Sequence, residues 1–539
     1  MSNLINGFVL SAEKYPDNNA LFVDGKYYSY RELGRYVMGT QNLLDRSDSG
    51  GCLIGIYAYR SLAMYTAILS ILYKGKGYVP LNPILPPKKN TDILLKSGVK
   101  TLLTESARLE GLLEILPKES GAFTIIVLDK DNVDFEAFPK KHNILCVDKI
   151  GSDTEGERLS RRTVKKQLCD ISYLLFTSGS TGEPKGIAVK HRHILHLIKV
   201  MTSKYGFGPD DRFIQNADYS FDFSVAEIFL SLASGGCLYC TPKSQCMIPA
   251  SFVSKHKITV WTSVPSVIDF LSKFNSLKSN YFSSLRYAFF CGEPLTAAMA
   301  EDFLHAAPEA KIINLYGPTE AAVFFTAYEF NSNSSTYPNG IVPIGKPFES
   351  LNVEVIGKEG QPVENGNVGE LYLSGPQVVS SYWCDQELSR ERFVETCWPN
   401  QDKVVWYKTG DLVKSDHNGD LIFIGRTDDQ LQIAGYRVEL GEIEYVLRTF
   451  ADVDRVVALG YSEDAEQDYI IIFYDGKCID RNILKSACVA NLPSYMVPKE
   501  FHYIDSLPVN QNGKIDKRKL ADWRRSMHRK DRDKVEDGD

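Results

Sequence analysis

The segment that most constrains this chain is Tyr173–Val189, YLLFTSGSTGEPKGIAV. Its apolar start reads as a buried strand. It runs directly into Thr177, Ser178, Gly179, Ser180, Thr181 and Gly182, and then into Glu183, Pro184, Lys185 and Gly186. Glycines let backbone N–H groups converge on an anion, hydroxyls add donors, and Lys185 adds charge. A bare glycine-serine cluster is most often a surface turn. The ordered string with Pro184 and Lys185, launched from an apolar strand, favours a phosphate loop. It is not a Walker loop, because no Ser or Thr follows Lys185.

Other apolar runs end in the same way, among them GCLIGIYAY (51–59) and FTIIVLDK (123–130). Runs of this kind read as buried parallel strands followed by helices, so the fold class is α/β. The polar stretch 151–166 reads as a surface connection. After about residue 345, VEVIGKEGQPVENGNVGELYLSG and GDLVKSDHNGDLIFIGRTDDQ read as hairpins with Gly-containing turns. From Gly441 a smaller unit follows, in the order helix, strand, strand, helix, and suggests a separate mobile lid. The mixed-charge end, 526–539, reads as a disordered tail.

Composition excludes several classes. With 539 residues, 44% hydrophobic and 24% charged, the chain can bury large cores without disulfide staples. A net charge of −7 leaves no basic footprint for nucleic acid. No apolar run is long enough to span a membrane, and the N-terminus lacks the basic region of a secretory signal. Eleven cysteines without framework spacing fit the reducing cytoplasm.

FTSGSTGEPKG resembles the phosphate loop of the adenylate-forming superfamily, which holds acyl-CoA synthetases, luciferases and nonribosomal peptide synthetase adenylation domains. Further motifs follow in the family's order: SYREL (29–33), YKGKGYVPLNP (73–83), SFDFSVAEIF (220–229), NLYGPTEAAV (314–323), GELYLSG (369–375), YKTGDLV (407–413), GRTDDQLQIAGYRVELGEIE (425–444), LPSYMVP (492–498) and PVNQNGKID (508–516). The resemblance covers about residues 15–520. It implies a large N-terminal core of mixed sheets and helices with a β-rich subdomain, 1–427. It also implies a small α+β lid, 428–525, that pivots at Asp428.

The same resemblance implies roles. The 177–186 loop would hold the β- and γ-phosphates of ATP. Tyr316 would stack on adenine, Thr319 would contact the α-phosphate, and Glu320 would ligate Mg²⁺, a hard cation suited to oxygen donors. Asp411 would accept both ribose hydroxyls, with Arg426 also at the ribose. Lys514 would bridge the substrate carboxylate and the α-phosphate and offset the growing negative charge. Read without their motifs, Glu320 is an ordinary helix-start charge, Asp411 a turn residue and Lys514 an exposed hairpin lysine. After adenylation Lys514 would leave, and the loop 432–442 would face the site for thioester formation.

Asp222 matches the acid that amino-acid-activating members pair with the substrate α-ammonium; the bland alternative is a helix cap. Counted from the motifs, the side-chain pocket is lined by Asp222, Phe223, Ala226, Thr262, Phe289, Cys291, Leu315, Val323 and Phe324. No charge besides Asp222 is expected there, and three phenylalanines shrink the cavity. The expectation is a small or medium apolar amino acid, activated as its adenylate and passed to the phosphopantetheine thiol of a separate carrier protein. No carrier motif follows Lys514, so a free-standing enzyme of secondary-metabolite type is expected. FFCGEPL (289–295) is similar to D-alanine–carrier-protein ligases, whereas QIAGYRVELGEIE looks like peptide synthetases. A CoA ligase for a small acid is a further alternative, and a catalytically dead carrier-binding scaffold another. Cys237 and Cys240 (CxxC, with Cys246 near) and His191, His193 and His196 are read as structural, not as metal ligands.

Overall fold

A computed structural model of the chain describes residues 3–47, 50–118, 121–129, 139–146, 159, 169–177, 184–332, 337, 340–396, 404–428, 430–433, 435–451, 453, 455–461, 469–508 and 515–536. Ser178, Gly179, Ser180, Thr181, Gly182 and Lys514 lie outside these, as does most of the connection 151–166. The chain divides into two compact units, the first ending at Asp428.

Among the described residues, the first unit holds three sheets. One is nine-stranded, in the order Lys346–Pro347, Thr326–Glu329, Lys311–Tyr316, Tyr287–Phe290, Val260–Ser263, Arg212–Gln215, Cys237–Cys240, Asn19–Val23, Lys26–Ser29. Its centre is parallel and its two ends are antiparallel. The second is eight-stranded: Tyr382–Trp383, Lys185–Lys190, Ile171–Thr177, Gly77–Pro80, Leu53–Tyr57, Thr101–Thr104, Thr124–Val127, Asn143–Cys146. The third is the expected hairpin region. Asn352–Ile356 pairs with Gly369–Ser374, and Val404–Ser415 pairs with Gly369–Ser374, Phe393–Thr396 and Leu421–Arg426, all antiparallel.

The helix Asp222–Ser234 shows why the two large sheets share a core. Its sequence, DFSVAEIFLSLAS, has no polar face, so it is stable only when enclosed. Every residue from Ser224 to Leu232 is buried. Gly7, in the helix Asn6–Lys14, lets that neighbour close in: a Cβ there would stand 2.6 Å from the Ala233 Cβ. Side chains of both sheets and of this helix form one hydrophobic cluster. A second cluster, around Trp261, Phe282, Phe290 and Phe303, involves the nine-stranded sheet alone.

The second unit contains a two-stranded ribbon, Gln430–Ile433 with Tyr436–Glu439, and a three-stranded sheet of Arg455–Tyr461, Tyr469–Asp475 and Glu500–Tyr503. Helices Leu440–Phe450 and Arg481–Asn491 pack on that sheet around Val446, Leu447, Ile472 and Cys488.

Two local expectations change. The strand leading into the phosphate loop is not followed by a helix: Ile171–Thr177 pairs antiparallel with Lys185–Lys190, with Thr177 opposite Lys185. A glycine-rich connection permits either outcome, and the apolar run GIAV decides for a second strand. The helix comes next, at His191–Tyr205, where KHRHILHLIK reads as a helix start. The charged end also differs from the expected tail, being helical as far as Glu536. A helix runs Lys517–Glu536, anchored by Leu520 and Trp523 and supported by the pair Asp522–Arg525 at 3.0 Å. Among the described residues, no helix is long and apolar enough to cross a membrane.

Candidate active site

Asp222 opens the buried helix, and its neighbours decide its chemistry. The residue is half-buried, but its Oδ2 is shielded from solvent and has no hydrogen-bond partner. Burial pushes its carboxyl up to about 6; the Thr319 side chain and nearby backbone N–H groups pull down, and the charge of Glu320 pushes up. A shielded, unpartnered carboxylate oxygen is costly unless a cation meets it. Asp222 lies at the first helical position, after the N-cap Phe221, where nearby backbone N–H groups favour its charged form.

The predicted pocket residues come together. Ala226, Phe289, Cys291, Leu315, Val323 and Phe324 belong to the shared core cluster, and Phe223 packs against it. The Phe223 and Phe324 rings meet edge to face, 5.3 Å apart. Phe289 lies opposite Thr262 on neighbouring strands. Its ring is held by Tyr205 at 4.9 Å and Tyr287 at 5.7 Å, so it is fixed in the wall. Cys291 feels the Asp222 charge, and burial pushes its thiol up to about 12, which keeps it neutral and unreactive.

One expectation about this wall is corrected. Asp222 is not its only acid, because Glu227 is fully buried and accepts the Thr262 hydroxyl at 2.6 Å. Burial pushes Glu227 up to about 7 against the pull of Thr262, the backbone of Asn216 and Ala217, and Arg60. Glu227 takes the N–H groups of Asn216 and Ala217, while the buried Arg60 guanidinium donates to the carbonyls of Gln215, Asn216, Ala217 and Thr241. The two charges thus hold the 215–217 segment from both sides, just ahead of Asp222. With its proton given to Glu227, Thr262 keeps only oxygen lone pairs and a methyl for a ligand.

The segment 316–325 carries Tyr316, Thr319, Glu320, Val323 and Phe324 in one tight loop. Gly317 is required by closeness: a Cβ there would stand 2.5 Å from the Val323 carbonyl oxygen. Ala322 and Val323 both adopt left-handed backbone, with φ of 56° and 77°. Such residues cost about 1–3 kcal/mol each and persist only where the surroundings over-determine them. Glu320 is fully buried, and its Oε1 accepts the Tyr382 hydroxyl at 2.8 Å.

A second group sits at the end of the nine-stranded sheet. The Tyr316 hydroxyl donates to Asp411 Oδ2 at 2.6 Å, and Arg426 Nη1 donates to the other oxygen. Arg426 also makes a two-pronged bond to Asp428, at 2.7 and 2.9 Å. Asp411 is thus held in place by a hydroxyl on one oxygen and a guanidinium on the other. Tyr316 is half-buried, which leaves ring surface for stacking. At the mouth of the phosphate loop, the Thr177 hydroxyl is buried without a partner and Lys185 is half-buried. Both belong to the eight-stranded sheet.

Sequence reasoning missed Glu227, Arg60, Tyr382 and Gln377. A lone acid inside the apolar run VAEIFL is a readable signal for Glu227; the other three have none that is local. Cys237 and Cys240 sit on a buried strand, and His191 and His193 are buried with their rings pushed down to about 4 and about 3 by desolvation. Among the described residues, no group of three or more His, Cys, Asp or Glu could hold a metal.

The family model described as AMP-binding enzyme matches residues 8–383. Tyrocidine synthase 3 of Brevibacillus parabrevis is 31% identical over 95% of this chain, but the chain spans only 7% of that protein. Zwittermicin A synthase ZmaJ of Bacillus cereus is 29% identical, with 94% of this chain and 92% of that protein covered. Among solved structures, the Vibrio cholerae adenylation domain AlmE, in complex with glycyl-adenosine-5'-phosphate, superposes with a TM-score of 0.87 at 30% identity, covering 98% of each chain. The chain therefore belongs to the AMP-binding enzyme family, the adenylate-forming group that includes peptide-synthetase adenylation domains.

Proposed function

We propose that this chain condenses a small or medium apolar amino acid with ATP to give aminoacyl-AMP and pyrophosphate, then transfers the aminoacyl group to the phosphopantetheine thiol of a carrier protein. The observation that carries the amino-acid assignment is the shielded, unpartnered Oδ2 of Asp222 beside Thr319 and Glu320. An α-ammonium supplies the missing cation, and the attached carboxylate is thereby held towards Thr319. Juxtaposing the two reactants in this way supplies much of the rate.

ATP would bind with adenine on the Tyr316 ring, ribose hydroxyls on Asp411, and phosphates over Thr177 and Lys185 with the loop between them. Magnesium fits Glu320: the carboxylate is a hard donor already oriented by Tyr382, and magnesium uses one or two carboxylates with substrate phosphates. Bound there, it would neutralise phosphate charge. Lys514 is the proposed bridge between carboxylate and α-phosphate.

The apolar preference is supported by the fixed ring of Phe289, the Phe223–Phe324 pair and the engaged hydroxyl of Thr262. The glycyl adenylate held by AlmE supports a small substrate. A second reading, a D-alanine–carrier-protein ligase, is favoured by the buried Cys291 next to Asp222. Pyrophosphate exchange over L- and D-amino acids tests both. Exchange is expected with a small or medium apolar L-amino acid. Selective exchange with D-alanine moves the chain to the second reading. Exchange with charged amino acids alone, or AMP release that needs only CoA and a simple acid, overturns the proposal.

A further inference from the structure

We infer that Gln377 is a positioning residue that fixes, through one buried carboxamide, both the catalytic carboxylate and the side-chain pocket; this rests on the function proposed above. Gln377 is fully buried and lies just after the motif GELYLSG. Its Nε2 donates to the carbonyls of Ala321 at 3.2 Å and Phe324 at 2.8 Å, with Ala322 at 3.5 Å. These carbonyls flank the two left-handed residues, Ala322 and Val323. A chain forced into that conformation turns its carbonyls inward, where each needs a donor. The Phe324 N–H serves the Ala322 carbonyl at 3.2 Å, and the two hydrogens of the Gln377 NH₂ group serve those of Ala321 and Phe324.

The carboxamide is itself held. With Nε2 turned to the carbonyls, Oε1 is left as acceptor, and His196 Nδ1 donates to it at 2.9 Å. That bond also prevents the amide from flipping. The same short segment braces the loop twice more: the Val379 N–H donates to the Glu320 carbonyl at 2.9 Å, and Tyr382 orients the Glu320 carboxylate. Glu320 and Val323–Phe324 lie on opposite sides of the braced turn. If the turn relaxes, the carboxylate and the pocket wall move together. The signature is a simultaneous loss of rate and of discrimination between side-chain sizes.

The test compares Gln377→Leu and Gln377→Glu in the full chain. Leucine removes donor and acceptor; an ionised glutamate keeps the shape but cannot donate. Both variants should lower kcat/KM for the amino acid by about tenfold to a hundredfold, as for a misplacement on the order of 1 Å. The ratio of kcat/KM between the preferred amino acid and one larger by a methylene should fall towards unity. His196→Leu should share this pattern in weaker form, and His196→Asn, which restores a donor, should recover it. A lowered Tm with rate per folded molecule and size discrimination unchanged would show a merely structural role and overturn the inference. Amide hydrogen exchange of residues 319–325, which needs no substrate, separates failure of this inference from failure of the function. It should quicken in both Gln377 variants even if no amino acid is activated, and unaltered protection overturns the inference.

Discussion

At the scale of single residues, the proposed function rests on the buried Asp222 carboxyl, whose Oδ2 is shielded and has no hydrogen-bond partner. Asp222 must be ionised to bind an ammonium, yet burial holds its carboxyl at about 6. The kcat/KM for the amino acid should therefore rise with pH through about 6 and level off above, and Asp222→Asn should lack that limb. Removing one partner of a buried charge pair costs about 2–5 kcal/mol, so the variant should lose about thirtyfold or more in amino-acid use while ATP binding is kept. The sign for stability is opposite. A carboxyl raised from 3.8 to about 6 binds its proton more tightly when folded, so the free enzyme loses stability as pH rises through that window, by about 3 kcal/mol. Asp222→Asn should remove this share of the loss in thermal unfolding measured from pH 4 to 7, leaving the share of Glu227, whose carboxyl burial also raises; a variant that loses as much stability as the wild type contradicts the burial account. Asp222 is legible because its motif marks it. Glu227 is legible only as a lone acid in an apolar run, and Arg60 is not legible at all, because its partners lie far away in sequence: it reaches Thr241 across 181 positions.

At the scale of elements, alternation of apolar runs and amphipathic stretches reveals most strands and helices, because burial dictates both. Direction is less legible. Whether Thr177 leads into a helix or back along its own strand depends on what Lys185–Lys190 pairs with, and no local pattern encodes that. The terminal helix escapes a local reading for a related cause: its charges look like a solvated tail, and only Leu520 and Trp523, packed on Phe473, tie it down. Its Arg524 makes a two-pronged bond to Glu500 at 2.8 Å for each contact. Burial raises the Glu500 carboxyl, but Arg524, His502 and Tyr469 outweigh that and hold it at about 2. A depressed acid adds stability that is present above about 4.5 and fades as pH falls towards about 2. Hydrogen exchange in residues 469–475 and 500–503 should therefore quicken over that acid range, and Glu500→Gln should show quickened exchange already at pH 6. A wild-type profile in the variant would remove the pair from this role.

At the scale of the whole molecule, the chain is two compact units joined after Asp428, and the proposed cycle assigns them separate duties. Arg426 bonds both Asp411, the proposed ribose acceptor, and Asp428, the proposed pivot. Asp428→Pro should leave pyrophosphate exchange within about threefold of wild type and slow carrier loading by about tenfold or more, as expected when a hinge loses its freedom. Equal loss of both reactions would remove Asp428 from the hinge role. Lys514→Ala should lower exchange by about a hundredfold or more, the scale of losing a preorganised charge at the transition state. Near-normal exchange would take Lys514 out of the chemistry.

The enclosure of the helix Asp222–Ser234 has a consequence for how this enzyme can evolve. Ala226 sits on a rod packed on all sides, with Glu227 and Arg60 locking the approach to it, so enlarging it displaces neighbours in both large sheets. Phe223, near the start of the rod, is only partly buried and has more room to change. Laboratory selection for new substrates should accordingly gather its first tolerated changes at Phe223, and reach the enclosed part of the rod only through paired substitutions.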